Sequence, residues 1–124
     1  MHLLIQSADG RHAYEPGEAI EVVAQWQLAK SADELELRLI WFTEGKGTED
    51  VCVLATEAVE FPPLQGEHRW EIELPTQPYS FQGTLVSLIW SLELLVNDGD
   101  HSTRTDIVIA PQGQAVSLGT ANER

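Results

Sequence analysis

The chain has 124 residues, which is about one domain, and 43% of them are hydrophobic, which is enough for one core and excludes wholesale disorder. Twenty Asp and Glu against seven Lys and Arg give a formal net charge of -13, which opposes docking on a nucleic-acid backbone or an anionic membrane surface. The acids are spread rather than gathered in a tail: residues 1–62 hold 12 acids and 4 bases, and residues 63–124 hold 8 and 3.

The chain opens on Met1-His2-Leu3-Leu4-Ile5-Gln6, too short an apolar run for a signal peptide, and Leu3–Gln6 is read as an edge strand. From Ile20 the apolar series Ile20, Val22, Ala24, Trp26, Leu28 alternates with Glu21, Val23, Gln25 and Gln27, the period of a half-buried antiparallel strand. Leu35, Leu37, Leu39 and Trp41 alternate with Glu34, Glu36 and Arg38 in the same way. Ser31-Ala32-Asp33-Glu34 has the form of a helix capping box, but a helix would scatter the four large apolar residues that follow, so strand is preferred.

Glu44-Gly45-Lys46-Gly47-Thr48-Glu49-Asp50 reads as a hairpin loop, and a strand follows from Val51 to about Phe61, closed by Pro62-Pro63. His68, Trp70, Ile72 and Leu74 alternate with Arg69, Glu71 and Glu73 as far as Pro75. The longest strand runs from about Thr84 to Val96, with Val86, Leu88, Trp90, Leu92, Leu94 and Val96 on its buried face. No stretch of the chain reaches the roughly 20 apolar residues of a membrane-spanning helix. Asn97-Asp98-Gly99-Asp100 marks a turn, a last strand spans about His101 to Ile109, and residues 111–124 read as a flexible tail. The expectation is all-β: about seven strands in two packed antiparallel sheets over residues 1–110.

Searches for reactive constellations return little. His2, His12, His68 and His101 lack ligand spacing, and the single Cys52 forms no internal disulfide and reads as a small packed hydrophobe. Gly45-Lys46-Gly47-Thr48 is not a phosphate loop, because Gly47 separates Lys46 from Thr48. No Gly-x-Ser-x-Gly elbow exists, though a cleft gathering His68 or His101 with a serine and an acid would make a hydrolase. The Asn97–Asp100 turn offers oxygen ligands for Ca²⁺ but lacks the rest of an EF-hand loop. Trp26, Trp41, Trp70 and Trp90 all fall on apolar series, which reads as core; the alternative is an aromatic platform for a sugar. Outward apolar residues are the interface candidates: Ile40 and Phe42 on one strand, Leu85 and Ile89 on another.

Two passages, in this order, resemble the arrestin-like superfamily. The first is Tyr14-Glu15-Pro16-Gly17-Glu18 before an early strand. The second is Trp70-Glu71-Ile72-Glu73-Leu74-Pro75, then Pro78-Tyr79-Ser80-Phe81-Gln82-Gly83 before the long strand, with Gln82 where the family usually has Glu. The similarity is to a single arrestin N-terminal-like domain, in the manner of bacterial sporulation-control proteins. It implies an immunoglobulin-like antiparallel β-sandwich that acts through protein contacts without catalysis or cofactor, and structural roles for Tyr14, Pro16, Gly17, Pro75, Ser80, Phe81 and Gly83. The basic clusters with which receptor-binding arrestins sense phosphate have no counterpart among seven scattered bases. The expected function is a cytoplasmic protein-interaction or scaffold module, binding a protein partner or a second copy of itself, with no nucleic acid and no membrane insertion. The alternative is a small-ligand or carbohydrate-binding sandwich.

Overall fold

The computed structural model describes residues 1–45, 50–82, 86–97, 99–111 and 116–117. The described residues form ten strands, with burial alternating most clearly along β3 and β4: β1 (His2–Ser7), β2 (Ala13–Tyr14), β3 (Ala19–Gln27), β4 (Glu34–Gly45), β5 (Val51–Glu60), β6 (Gln65–Glu73), β7 (Phe81–Gln82), β8 (Val86–Val96), β9 (His101–Ile109) and β10 (Val116–Ser117). The seven long strands are those that the periodicity marks. β2, β7 and β10 are two residues each, too short to carry a period, and β10 lies inside the segment read as a tail. No helix is present among the described residues. At the capping-box sequence, Asn97 Oδ1 instead accepts from the Asp33 and Glu34 N–H groups at 2.7 and 3.2 Å.

A small sheet has the order β1-β3-β6, antiparallel throughout. The larger sheet centres on β8, with β4 and then β5 on one side and β9 and β7 sharing the other. β2 runs parallel to the end of β9, and β10 parallel to β7. β1 lies against β9 at one edge of the sandwich, where Thr105 Oγ1 donates to Ile5 O at 3.3 Å. β6 and β5 are the outer strands on the opposite side.

The core forms between the facing rows. From the larger sheet come Leu35, Leu37, Leu39, Trp90, Leu92, Leu94 and Ile109; from the smaller come Ile5, Ile20, Val22, Ala24, Trp26, Trp70 and Ile72. Buried indole N–H groups need acceptors and find backbone ones: Trp90 Nε1 donates to Pro78 O and Trp26 Nε1 to Pro63 O, each at 2.9 Å. Trp70 is also buried and Trp41 half-buried, so no fully exposed tryptophan platform for a sugar exists.

The Leu92→Ala substitution is expected to cost about 2–5 kcal/mol in urea denaturation, because that side chain is wholly enclosed. Gly66 pairs with Trp26, and a Cβ there would lie 2.8 Å from Trp26 Cζ2. Gly66→Ala is therefore expected to displace the ring and destabilise by about 1–3 kcal/mol, read in the tryptophan-fluorescence unfolding curve.

Candidate interaction site

The residues of the first family-like passage build a corner. Pro16 and Gly17 are the central residues of a type II turn: Gly17 has φ +81°, and Glu18 N–H donates to Glu15 O at 3.2 Å. The turn is held to the end of β6 by Gly17 N–H to Pro75 O at 3.2 Å and Leu74 N–H to Glu18 O at 2.9 Å. Tyr14 is buried beside it, its hydroxyl donating to Arg11 O at 2.8 Å, with the Arg11 guanidinium 4.6 Å from its ring centroid. Arg11 also bridges Asp9, at 2.8 Å, and Glu18.

The second passage closes the same end of β9 from its other side. Ser80 N–H donates to Ile109 O at 2.8 Å, and Ser80 Oγ accepts from Ile109 N–H at 3.0 Å. Phe81 pairs with Leu88 and packs half-buried against the core. Gly83 lies outside the described residues.

His68 and His101 do not converge with each other on a serine-acid cleft. His68 stands on β6 and packs tilted against Trp70, ring centroids 4.6 Å apart and planes 58° from parallel, whereas His101 starts β9 at the opposite edge. At the proposed Ca²⁺ turn, the Asn97 side-chain oxygen is taken by the two N–H groups named above, and Asp98 lies outside the described residues.

Ile40, Phe42 and Ile89 share the outer face of the larger sheet, while Leu85 lies outside the described residues. The face is laid out in rows across the strands. Val51, Phe42 and Ile89 form one; Val53, Ile40, Ser91 and Asp106 the next; then Thr56, Arg38, Glu93 and Arg104; then Ala58, Glu36, Leu95 and Ser102; and last Glu60 with Glu34. Ile40 and Phe42 are not open to a partner as expected: they are 5% and 8% exposed. The Arg104 guanidinium lies 4.5 Å from the Phe42 ring centroid, a cation-π cover reaching over from β9. Arg38 is bound to Glu36 at 2.8 Å, and Ser91 hydrogen-bonds Asp106. Long charged side chains thus roof the apolar rows.

The exposed aliphatic surface lies one strand further out. β5 pairs with β4 alone among the described residues, and Val51, Val53 and Leu54 are 67%, 45% and 43% exposed. Thr43 N–H donates to Asp50 O at one end and Phe61 N–H to Asp33 O at the other. Residues facing each other in an antiparallel ladder alternate between bonded and non-bonded pairs. With the ends so fixed, the backbone groups of Val51, Val53, Thr56 and Ala58 point away from β4. These same residues carry the outer-face side chains. Leu54 is the extra residue of a bulge between the Leu39 and Ile40 pairings. Two of the other outer strands, β6 and β1, are blunted. β6 alternates Glu67, Arg69, Glu71 and Glu73, with Arg69 3.4 and 3.6 Å from Glu67 and Glu21, and β1 has the Ile5 carbonyl engaged by Thr105. Strand order is what singles out β5, and strand order is not readable from periodicity.

No family model matches the chain, and no curated protein matches it significantly. Among solved structures the chain is similar to the crystal structure of Spo0M, a sporulation control protein from Bacillus subtilis, with a TM-score of 0.59 and 15% sequence identity. The fold is arrestin-like. The match covers 88% of this chain and 49% of Spo0M, so the chain spans about half the length of that protein. At this identity the likeness concerns the arrestin-like sandwich itself.

The corner beside Tyr14 makes a pH prediction. The Arg11 backbone N–H first, and its guanidinium second, hold the Asp9 carboxyl at about 2, below its ordinary 3.8, and Arg11 likewise lowers Glu18. A carboxyl depressed in the folded state stabilises fully above its unfolded value and loses that contribution as pH falls through the folded one. Urea midpoints of the wild type and Asp9→Asn should therefore differ most above about pH 4 and converge as pH drops towards 2.

Proposed function

We propose that the chain is a non-enzymatic protein-interaction module that takes an extended segment of a partner protein as an added strand on β5. The observation that carries this reading is the coincidence on one strand of backbone groups without a ladder partner among the described residues and exposed Val51, Val53 and Leu54. Added strands draw affinity from main-chain hydrogen bonds and specificity from alternate side chains, and both are on offer along β5. The free thiol of Cys52 fits a reducing compartment such as the cytoplasm. The roofing of Ile40 and Phe42 argues for the edge rather than the sheet face as the contact.

Ala58→Pro removes an outward N–H while leaving the β4 ladder bonded, so the fold should survive in circular dichroism. Val53→Lys puts a charge in the aliphatic row and serves as a second block. Extended peptides selected from a displayed random library on the wild type should protect β5 amides from hydrogen exchange and lose at least about tenfold in affinity for both variants. Selected peptides that bind both variants as well as they bind the wild type, or that protect other strands, would overturn the reading.

A further inference from the structure

The free edge of β5 is divided into halves. Towards its start, Val51 and Val53 continue the rows of Phe42 and Ile40, beside a depression of about 390 Å³ lined by Ile40, Phe42, Thr43, Glu44, Val51, Glu93 and Arg104. Towards its end, Glu60 stands beside Glu34, Ala58 beside Glu36, and Glu57 projects from the other side of the strand. β5 carries no basic residue, and within those last rows β4 contributes two further carboxylates. Between the halves, Thr56 adjoins the row that holds Arg38, Glu93 and Arg104.

Residues directly opposite on paired strands have Cβ atoms about 4.5–5.5 Å apart, close enough for opposite charges to attract and like charges to repel. From this division we infer that the partner segment is itself two-part: Lys or Arg where it passes Ala58 and Glu60, and aliphatic side chains where it passes Val53 and Val51. This rests on the strand-addition reading above and names the chemistry of what is added.

The pattern also argues against a second copy of the chain. Two β5 strands paired antiparallel along their full length set Glu60 of one against Val51 of the other, a carboxylate against an aliphatic surface. Paired in parallel, Glu60 meets Glu60. Neither register is complementary, whereas a basic-aliphatic segment complements the whole edge.

The test uses a synthetic probe, acetyl-Lys-Thr-Lys-Ser-Thr-Ser-Val-Thr-Val-amide. Laid antiparallel it places its first Lys opposite Glu60 and its two Val opposite Val53 and Val51, with the bulge at Leu54 absorbed. A twin peptide replaces both Lys by Glu. Binding to the intact chain is followed by fluorescence anisotropy and by hydrogen exchange of β5.

The Lys peptide should bind at least about tenfold tighter than the Glu peptide, and the difference should shrink in high salt. The exposed charge reversals Glu60→Lys and Glu57→Lys together should invert the preference. Equal binding of both peptides, lost for both in Ala58→Pro, would overturn the basic-partner inference while leaving strand addition standing. Failure of the Lys peptide to protect β5 would overturn the inference outright. A concentration-dependent dimer that protects β5 without peptide would overturn it in favour of the second copy.

Discussion

The larger sheet depends on the burial of one row of β8 side chains. Leu88, Trp90, Leu92, Leu94 and Val96 are all 6% exposed or less, and both flanking strands take their register from this strand. A slip of one residue would turn every one of these side chains outward, so the pairing with β4 and β9 is strongly specified. Trp90 tightens the specification. Its ring fills the centre of the row, and its N–H has a backbone acceptor in the Pro78 carbonyl, which ties the β6–β7 connection to the core. From that register follow the rows on the opposite face, and with them the side chains presented along β5.

The same constraint explains the two-residue strands. Wherever the long strands end, backbone donors and acceptors still need partners. The end of β9 takes β2 on one side and Ser80 on the other: Val108 N–H donates to His12 O, Ala110 N–H to Tyr14 O, and Ile109 is bound through Ser80. The family-like residues cluster at these junctions. Pro16 and Gly17 supply the type II geometry, and Pro75 offers a carbonyl that receives the Gly17 N–H. Their roles are hydrogen-bond accounting at the corners of an arrestin-like sandwich.

The seven long strands were legible in the sequence because a half-buried sheet writes its burial as a period of two, and β3, β4, β6 and β8 keep that period. β2, β7 and β10 were not legible, since two residues hold no period. The outer face was half legible. Ile40 and Phe42 are on it, but the Phe42 ring is covered by Arg104, sixty-odd positions away and two strands over, and no local pattern announces that contact. The edge was not legible at all. β5 reads as a strand with indistinct faces, since the bulge at Leu54 shifts its alternation midway, and its place at the margin follows only from the order in which β4, β8 and β9 assemble.

An open edge with aliphatic side chains is a hazard as well as a site, because such strands pair with their own kind. Here the acidity of the chain acts at a particular place. The carboxylates at the end of β5 sit on the edge and beside it, where they oppose any added strand that is acidic or wholly aliphatic over that half. A bulge at the strand's middle adds local twist and narrows the set of strands that fit. A net charge of -13 spread over both halves of the chain extends the same bias to longer range, repelling further copies before their edges meet. Charge that merely excludes partners at the scale of the whole molecule therefore becomes selective at the scale of one strand. If β5 takes an added strand as proposed, its aliphatic half stays accessible and its acidic half is where a wrong partner is rejected.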